Sequence, residues 1–290
     1  MSWIREEIEV WMSRRSNNAL EPGSALPAFA APLVGVARGD DDLFAFLKND
    51  IGPEFYWTPR DAFIRAFPDE MVRADELSVV AWVLPQTKET RSAHGKNDTM
   101  PSAAWSKVRH YGEKINENLR GFVVDRYMTT GFQACAPALL PQWSRAISTR
   151  YGYASSWSER HAAYVCGLGT FGVSDGLITP VGKAVRLGSV IVRTILQPTP
   201  RLYRHHNEWC LFLSGGKCLA CARRCPAGAI SESGHDKSVC REYIRNVTSV
   251  YVEKEQLGFR VNSCGLCQTK VPCESRNPEQ KNRCGKLEQL

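Results

Sequence analysis

The chain has 290 residues, of which 43% are hydrophobic and 23% charged, and its 37 Lys and Arg against 30 Asp and Glu give a formal net charge of +7. This length allows one large domain or two ordinary ones, and the composition excludes a disordered or fibrous protein. The apolar stretch 24–37 is short and is broken by Pro27 and Pro32, whereas a membrane-spanning helix needs roughly 18 uninterrupted apolar residues. We therefore expect a cytoplasmic globular protein without a membrane partner.

The N-terminal part of the chain predicts both helices and strands. An amphipathic stretch begins the chain and carries Ile4 and Ile8. Thr58 followed by Pro59 and Asp61 is typical of a helix start, because a hydroxyl caps the first turn, proline suits its first position and an acid follows. The run 77–84 is almost wholly apolar and rich in β-branched residues, which predicts a buried central strand.

Residues 101–128 carry apolar side chains at helical spacing, which predicts a long helix after that strand. A second strand is predicted at 189–192, and a helical stretch at 236–255. The proline-rich segment 197–200 is the candidate boundary between two parts of the chain. The sequence thus predicts an α+β fold with these units: an N-terminal helical or cap segment, 1–74; an α/β core, 75–200; a cysteine-rich module, 201–275; and a tail, 276–290.

Cysteines concentrate in the last third of the chain. Eleven cysteines are present, and nine of them follow residue 200. The run Cys218-Leu-Ala-Cys221-Ala-Arg-Arg-Cys225-Pro226 matches most of the bacterial ferredoxin pattern, in which three cysteines hold one 4Fe-4S cluster and the fourth holds its neighbour. A structural zinc site is the alternative, but zinc motifs seldom continue with this Cys-Pro segment.

Eight cysteines can be arranged as two interleaved ligand sets. The first cysteine of the ferredoxin pattern is missing, because Gly215 occupies its place, and Cys210 is the natural substitute. By the crossover rule of the ferredoxin pattern, each set holds one 4Fe-4S cluster. The first set is Cys210, Cys218, Cys221 and Cys273, and the second set is Cys225, Cys240, Cys264 and Cys267.

The three remaining cysteines have other expected roles. Cys135 and Cys166 have apolar or small neighbours and are expected to be buried core thiols. Cys284 is the alternative ligand if Cys210 is not used. Two clusters with their thiolates add a charge of about −4, which brings the loaded protein to roughly +3 and weakens the case for nucleic-acid binding from charge alone.

A second group of motifs precedes the cysteines. Trp157-Ser-Glu159-Arg-His161 leads into a segment with three glycines, Gly167-Leu-Gly169-Thr-Phe-Gly172, and Arg186-Leu-Gly188-Ser189 follows. Together with the order of the cysteines, these motifs resemble the core of epoxyqueuosine reductase and, more distantly, the reductive dehalogenases. The resemblance covers roughly residues 75–275.

The resemblance implies a fold and a set of cofactors. It implies a core like that of nitroreductases and cobalamin-processing proteins, followed by a bacterial-ferredoxin-like module with two 4Fe-4S clusters. It further implies a cobalamin between the two parts, reduced through both clusters by an external low-potential donor of ferredoxin or flavodoxin type. The residues that the resemblance assigns to corrinoid binding are Gly167, Leu168, Gly169, Thr170, Gly188 and Ser189.

One departure from the family bears on the substrate. Epoxyqueuosine-reducing members carry a catalytic aspartate six residues before the Glu-Arg pair, and Tyr153 stands there in this chain. Tyrosine can also donate a proton, so Tyr153 is the candidate catalytic acid. Because the carboxylate is missing, tRNA is not expected as a partner, and the expected activity is anaerobic reduction of a small organic molecule. The alternative is a ferredoxin-like electron-transfer protein without a corrinoid or substrate chemistry of its own.

Several of these residues also have a purely structural interpretation. Ser156 and Glu159 have the spacing of a helix capping box, and the Gly167-Leu-Gly169 segment can end a helix in a tight turn. His161, His205 and His206 could bind a ligand or donate protons, but most histidines do neither. The pair Arg223-Arg224 lies beside the cysteines, where it either influences the clusters and their electron donor or is simply solvated.

Overall fold

The computed structural model describes residues 2–279, and Cys284 lies outside the described residues. Helices and strands alternate along the first two thirds of the chain. The helices are α1 (Ser2–Ser13), α2 (Asp42–Ile51), α3 (Pro59–Ala66), α4 (Lys88–Gly95), α5 (Ala103–Thr129), α6 (Glu159–Val165), α7 (Ala220–Arg223), α8 (Lys237–Tyr243) and α9 (Ser249–Val252). The strands are β1 (Leu33–Arg38), β2 (Ser78–Pro85), β3 (Ala134–Cys135), β4 (Arg145–Ser148), β5 (Gly152–Ser155), β6 (Thr170–Phe171), β7 (Leu177–Ile178), β8 (Val185–Val192), β9 (Ile230–Ser231) and β10 (Gly234–His235). The fold is mixed α and β.

The main sheet has four antiparallel strands in the order β1-β2-β8-β3. Every residue of β2 is buried, because helices cover both faces of the sheet. Successive side chains of a strand point to opposite faces. Val80, Trp82 and Leu84 therefore pack in the core formed with α1 and α5, and Val79 and Val83 pack in the core formed with α2, α3 and α6.

The strongest local patterns of the sequence are confirmed. Strand β2 and helix α5 form where continuous apolar character and helical spacing predicted them. Helix α3 begins as predicted: the Thr58 hydroxyl accepts a hydrogen bond from the Asp61 N–H, and the Asp61 carboxylate accepts one from the Thr58 N–H. The predicted helical stretch at 236–255 is continuous but contains two π-helical turns, Ile244–Thr248 and Glu253–Leu257.

The N-terminal segment is not purely helical. It supplies the strand β1, which pairs with β2 along its whole length, from Leu33 opposite Val83 to Arg38 opposite Ser78. The prolines that precede β1 concealed this strand in the sequence. Among residues 2–279, no helix is both long enough and apolar enough to cross a membrane.

The cysteine-rich region packs directly on the core. The backbone N–H of Lys183 donates to the carbonyl of Cys273 (2.9 Å), and that of Ala184 donates to Glu274 (3.2 Å). On the other side of the region, Ser106 of α5 and Ser263 are joined through their hydroxyls at 3.3 Å. These contacts attach the last cysteine motif, residues 264–273, to the core at both of its ends.

Candidate functional site

The four cysteines of the first predicted set line one cavity. Cys210, Cys218, Cys221 and Cys273 all face this space, which measures about 330 Å³ including its opening to solvent. Lys183 lines the same cavity. The structure therefore brings together residues that are up to 63 positions apart in the sequence, in the combination that the interleaved pattern predicts.

A tight loop explains how Cys210 reaches the other three cysteines. The loop turns back on itself, since the Ser214 N–H donates to the Cys210 carbonyl at 2.9 Å. At Gly216 a Cβ atom would lie 2.0 Å from the carbonyl oxygen of Leu211, so that only glycine lets the chain close here. Cys218 then precedes α7, and Cys221 lies within it.

The four cysteines of the second set influence one another's ionisation. Burial, followed by the neighbouring Cys267 and Cys225, raises the pKa of Cys240 to about 11. Burial raises the pKa of Cys264 to about 11, and Cys240 and Cys225 add to this effect. The Sγ atom of Cys225 also accepts a hydrogen bond from the Ala229 N–H at 3.3 Å. These thiols therefore lie near one another, and none of them lines the first cavity.

The two groups meet at Cys221 and Cys267. Burial raises the pKa of Cys267 to about 12, and both Cys221 of the first set and Cys264 of its own set contribute. Thiols with a raised pKa are protonated when no metal is bound, so they would release their protons on binding a metal or a cluster. Because the two ligand sets are adjacent, two clusters bound to them would lie close to each other.

The number and type of donors in the first cavity fit an iron-sulfur cluster, because a 4Fe-4S cluster is held by four thiolates and four cysteines line this space. Among residues 2–279, no group of three or more His, Cys, Asp or Glu side chains is arranged to hold a single metal ion.

The glycines assigned to corrinoid binding are instead packed against the chain itself. Gly167, with φ +80°, ends α6: its N–H donates to Tyr164 and the next N–H, of Leu168, donates to Ala163, which is the Schellman arrangement. A Cβ atom at Gly169 would lie 2.3 Å from the carbonyl oxygen of Ile178.

The other residues of that group are also enclosed. A Cβ atom at Gly188 would lie 2.5 Å from the Trp82 ring. Leu168 is buried. The Thr170 hydroxyl accepts from the Trp209 N–H at 2.9 Å, and the Ser189 hydroxyl accepts from the Trp157 indole at 3.0 Å. Five of these six residues are buried, and Gly167 is partly exposed, so their contact with a corrinoid stays a prediction.

Tyr153 lies apart from the cysteine cavity. It stands on β5, in the hairpin with β4, and 37% of its surface is exposed. Arg241 of α8 donates a hydrogen bond to its hydroxyl and stacks over its ring, 4.4 Å from the ring centre. Lys237 donates to the Tyr153 carbonyl at 3.1 Å. The tyrosine therefore marks the contact between the hairpin and the cysteine-rich region, and its catalytic role stays a prediction.

The capping box predicted for Ser156 and Glu159 is wrong. Ser158, not Ser156, precedes α6, and the Ser156 hydroxyl accepts a hydrogen bond from the Ser144 N–H at 3.0 Å. Glu159 turns inward, where its carboxylate accepts hydrogen bonds from Arg120 and Ser189. The spacing is right for a capping box, but the buried Arg120 offers a stronger partner than a backbone amide.

The histidines and the arginine pair have ordinary surroundings. His161 packs between the rings of Tyr56 and Phe171. His205 and His206 are exposed. Arg224 pairs with Asp98 at 2.6 Å and also donates to backbone carbonyls, so it attaches the region to the loop after α4. Arg223 is exposed.

Sequence reasoning missed Lys183. It is 4% exposed and lies in the first cysteine cavity, but the sequence around it, Thr-Pro-Val-Gly-Lys, gives no sign of burial. Only the fold shows that the turn at Gly182 packs against the backbone of Glu274, where a Cβ atom would lie 2.2 Å from the Glu274 carbonyl oxygen.

Comparisons with known proteins agree with the family resemblance of the motifs. No protein-family model matches the sequence. An epoxyqueuosine reductase of Francisella cf. novicida (strain Fx1) is 31% identical over 125 residues, which make up 41% of this chain and 33% of that protein. The resemblance to this family is confirmed.

Solved structures show the same fold. The catabolic reductive dehalogenase NpRdhA matches with a TM-score of 0.52 and 16% identity, over 98% of this chain and 38% of that chain. An epoxyqueuosine reductase from Bacillus subtilis matches with a TM-score of 0.50 and 17% identity, over 94% of this chain and 66% of that chain. The matched part thus spans about a third of the curated relative, less than two fifths of the dehalogenase and about two thirds of the Bacillus enzyme.

The comparisons correct the expected partners. The expectation of a small-molecule substrate with no role for tRNA is wrong, because the relative in sequence and a structural neighbour are epoxyqueuosine reductases.

Proposed function

We propose that this protein is an iron-sulfur reductase in which two 4Fe-4S clusters carry electrons from an external low-potential donor to a bound substrate. The observation that carries the proposal is the meeting of Cys210, Cys218, Cys221 and Cys273 in one cavity. Two clusters, each accepting one electron, supply the two electrons that a reduction of a closed-shell organic group needs. The comparisons support the reductase class.

The chain's own residues divide this work between two parts. The region 201–275 would act as a bacterial-ferredoxin-like module that holds the clusters, and the core 75–200 would act as the nitroreductase-like scaffold beside it. The segment 1–74 completes the sheet of that scaffold through β1. Tyr153 and Arg241 lie where the two parts touch, so Tyr153 is placed to give a proton to a substrate bound at that contact.

A nucleoside carried by tRNA is the substrate class that we propose. The support is the 31% identity with an epoxyqueuosine reductase. Removal of the oxygen of an epoxide takes two electrons and two protons and releases water, which agrees with two one-electron clusters and an acidic side chain. Arg241 stacks over Tyr153 of β5, and the exposed Arg150, which pairs with Asp50, lies in the turn between β4 and β5. Guanidinium groups of this kind are suited to phosphate contacts.

The corrinoid that the resemblance implies is assigned no step here. Five of the six residues expected to contact it are buried in the chain's own packing, so they offer little surface for that contact. That same observation favours the second candidate function, a ferredoxin-like electron-transfer protein without a corrinoid.

Turnover with the modified tRNA distinguishes the two candidates. The anaerobically reconstituted protein is reduced and mixed with a tRNA-Tyr stem loop that carries epoxyqueuosine, with and without added cobalamin, and the nucleoside is analysed by mass spectrometry. Loss of one oxygen atom supports the reductase, and Cys218→Ala should abolish this loss. Cobalamin retained through gel filtration would show a corrinoid site elsewhere in the chain. No turnover in either mixture, with both clusters present, would leave the electron-transfer protein as the better account.

A further inference from the structure

Lys183 is a buried cation without a carboxylate partner among the described residues. Its side chain is 4% exposed, and its Nζ atom donates to the Ser174 hydroxyl at 3.1 Å. A hydroxyl carries no charge. Burial of a charge in a protein interior is costly unless an opposite charge compensates it. The compensation must therefore come from other groups in the same cavity.

The four cysteines of the first set line the same cavity as Lys183. They carry no charge as thiols, but as cluster ligands they would be thiolates and would supply the compensating negative charge. The backbone also fixes the lysine there, since its N–H donates to the carbonyl of the ligand Cys273. The fold thus holds the positive charge in the cavity of the first set.

None of the four cysteines of the second set lines this cavity. The carboxylates near Cys240 have partners of their own, because Asp175 pairs with His235 and Lys237, and Asp236 caps α8 through the N–H groups of Ser238 and Val239. The effect of the Lys183 charge is therefore expected mainly at the cluster of the first set.

We propose that Lys183 is the fixed positive charge that raises the reduction potential of the cluster of the first set. This inference rests on the proposed two-cluster function. Reduction adds one electron to a cluster and makes its charge more negative, with no bond formed or broken. A neighbouring cation stabilises the reduced state, so loss of the Lys183 charge makes reduction of this cluster less favourable.

The test is a redox titration of the reconstituted full chain, followed by electron paramagnetic resonance. Lys183→Met keeps the length of the side chain and removes its charge. We expect the midpoint potential of the first cluster to shift to a more negative value, and that of the second cluster to shift much less. Cys210→Ser, which alters a ligand of the first set only, identifies the signal of the first cluster. Lys270→Met is the matched control, because this lysine is more than half exposed in the same region, and both midpoints should stay unchanged.

The possible results separate this inference from the proposed function. Wild-type protein without clusters would overturn both. Wild-type protein with about eight iron atoms per chain, and unchanged midpoints in Lys183→Met, would overturn the inference alone. Lys183→Gln provides a second neutral variant. If both neutral variants lose the first cluster while Lys270→Met retains it, Lys183 is required for cluster assembly and the proposed effect on the potential is wrong.

Discussion

The carboxylate of Glu159 accepts a hydrogen bond from the hydroxyl of Ser189, which joins the first turn of α6 to the middle of β8. The same carboxylate accepts from the guanidinium of Arg120 at 3.0 Å, and the Arg120 side chain is only 4% exposed. Burial raises the pKa of Glu159, while Arg120 and Ser189 act in the opposite direction. The motifs that resemble the reductase family thus meet in a buried polar network at the centre of the fold.

Arg120→Met should destabilise the protein by about 3 kcal/mol or more at neutral pH, because it leaves the buried carboxylate of Glu159 without its cation. Urea unfolding measures this change. Lys114→Met on the exposed side of the same helix is the control and should stay within about 0.5 kcal/mol of wild type. Equal stability of the two variants would show that the network contributes nothing to folding.

Gly188→Ala should destabilise the protein by about 1–3 kcal/mol, because the added methyl group would lie 2.5 Å from the Trp82 ring in the middle of the sheet. Gly121→Ala in α5 meets no atom within 4 Å and should be neutral or slightly stabilising. Thermal unfolding compares the two. If Gly188→Ala keeps wild-type stability but changes corrinoid binding, Gly188 contacts the cofactor and its packing role is wrong.

Lowering the pH should reduce the free energy of unfolding, because the folded protein buries His94 in its neutral form. Burial lowers the pKa of His94 to about 4, and the ring stacks on Trp105 at 4.1 Å. The ordinary pKa of histidine, 6.5, lies above this value, so the folded state favours the neutral ring more than the unfolded state does. The contribution of neutral His94 to stability is fully present above pH 6.5 and is lost as the pH falls towards 4. The expected loss between pH 7 and pH 5 is about 2 kcal/mol.

His94→Gln cannot gain a proton and should show a smaller loss of stability between pH 7 and pH 5 in urea unfolding. His205→Gln changes an exposed histidine and should retain the wild-type pH dependence. A wild-type pH dependence in His94→Gln would mean that other groups control the acid transition.

Local sequence patterns predicted those elements whose residues carry their own signal. Strand β2 is apolar throughout, and the side chains of Thr58 and Asp61 cap the first turn of helix α3. Strand β1 was missed, because its burial depends on pairing with residues of β2 that lie 40 to 50 positions later in the chain. The direction of the Glu159 side chain also depends on a distant partner, Arg120, which no short-range pattern reveals.

In the candidate site, too, some features follow from local sequence patterns and others depend on the fold. Cysteine spacing predicted which thiols share the first cavity, because two-residue gaps and the crossover rule are properties of the motif itself. Glycine spacing did not distinguish a cofactor contact from a close internal contact. Gly167 and Gly169 are needed by the chain for a helix end and for packing on Ile178, and only three-dimensional proximity shows this.

Cys210→Ser should alter the signal of one cluster in the electron paramagnetic resonance spectrum of the reduced protein. Cys210 is buried and lines the first cavity, and a serine oxygen is a harder and poorer ligand for iron-sulfur clusters than a thiolate. Cys284→Ser is the matched control and should leave both signals unchanged. The reverse pattern would assign the fourth ligand to Cys284.

The central claim is that eight cysteines hold two 4Fe-4S clusters in two adjacent sets. The most direct test is the content of iron, acid-labile sulfide and zinc in the anaerobically reconstituted full chain. The account predicts about eight iron atoms and eight sulfides per chain, with no stoichiometric zinc. Four iron atoms with zinc at the remaining cysteines would contradict the two-cluster assignment.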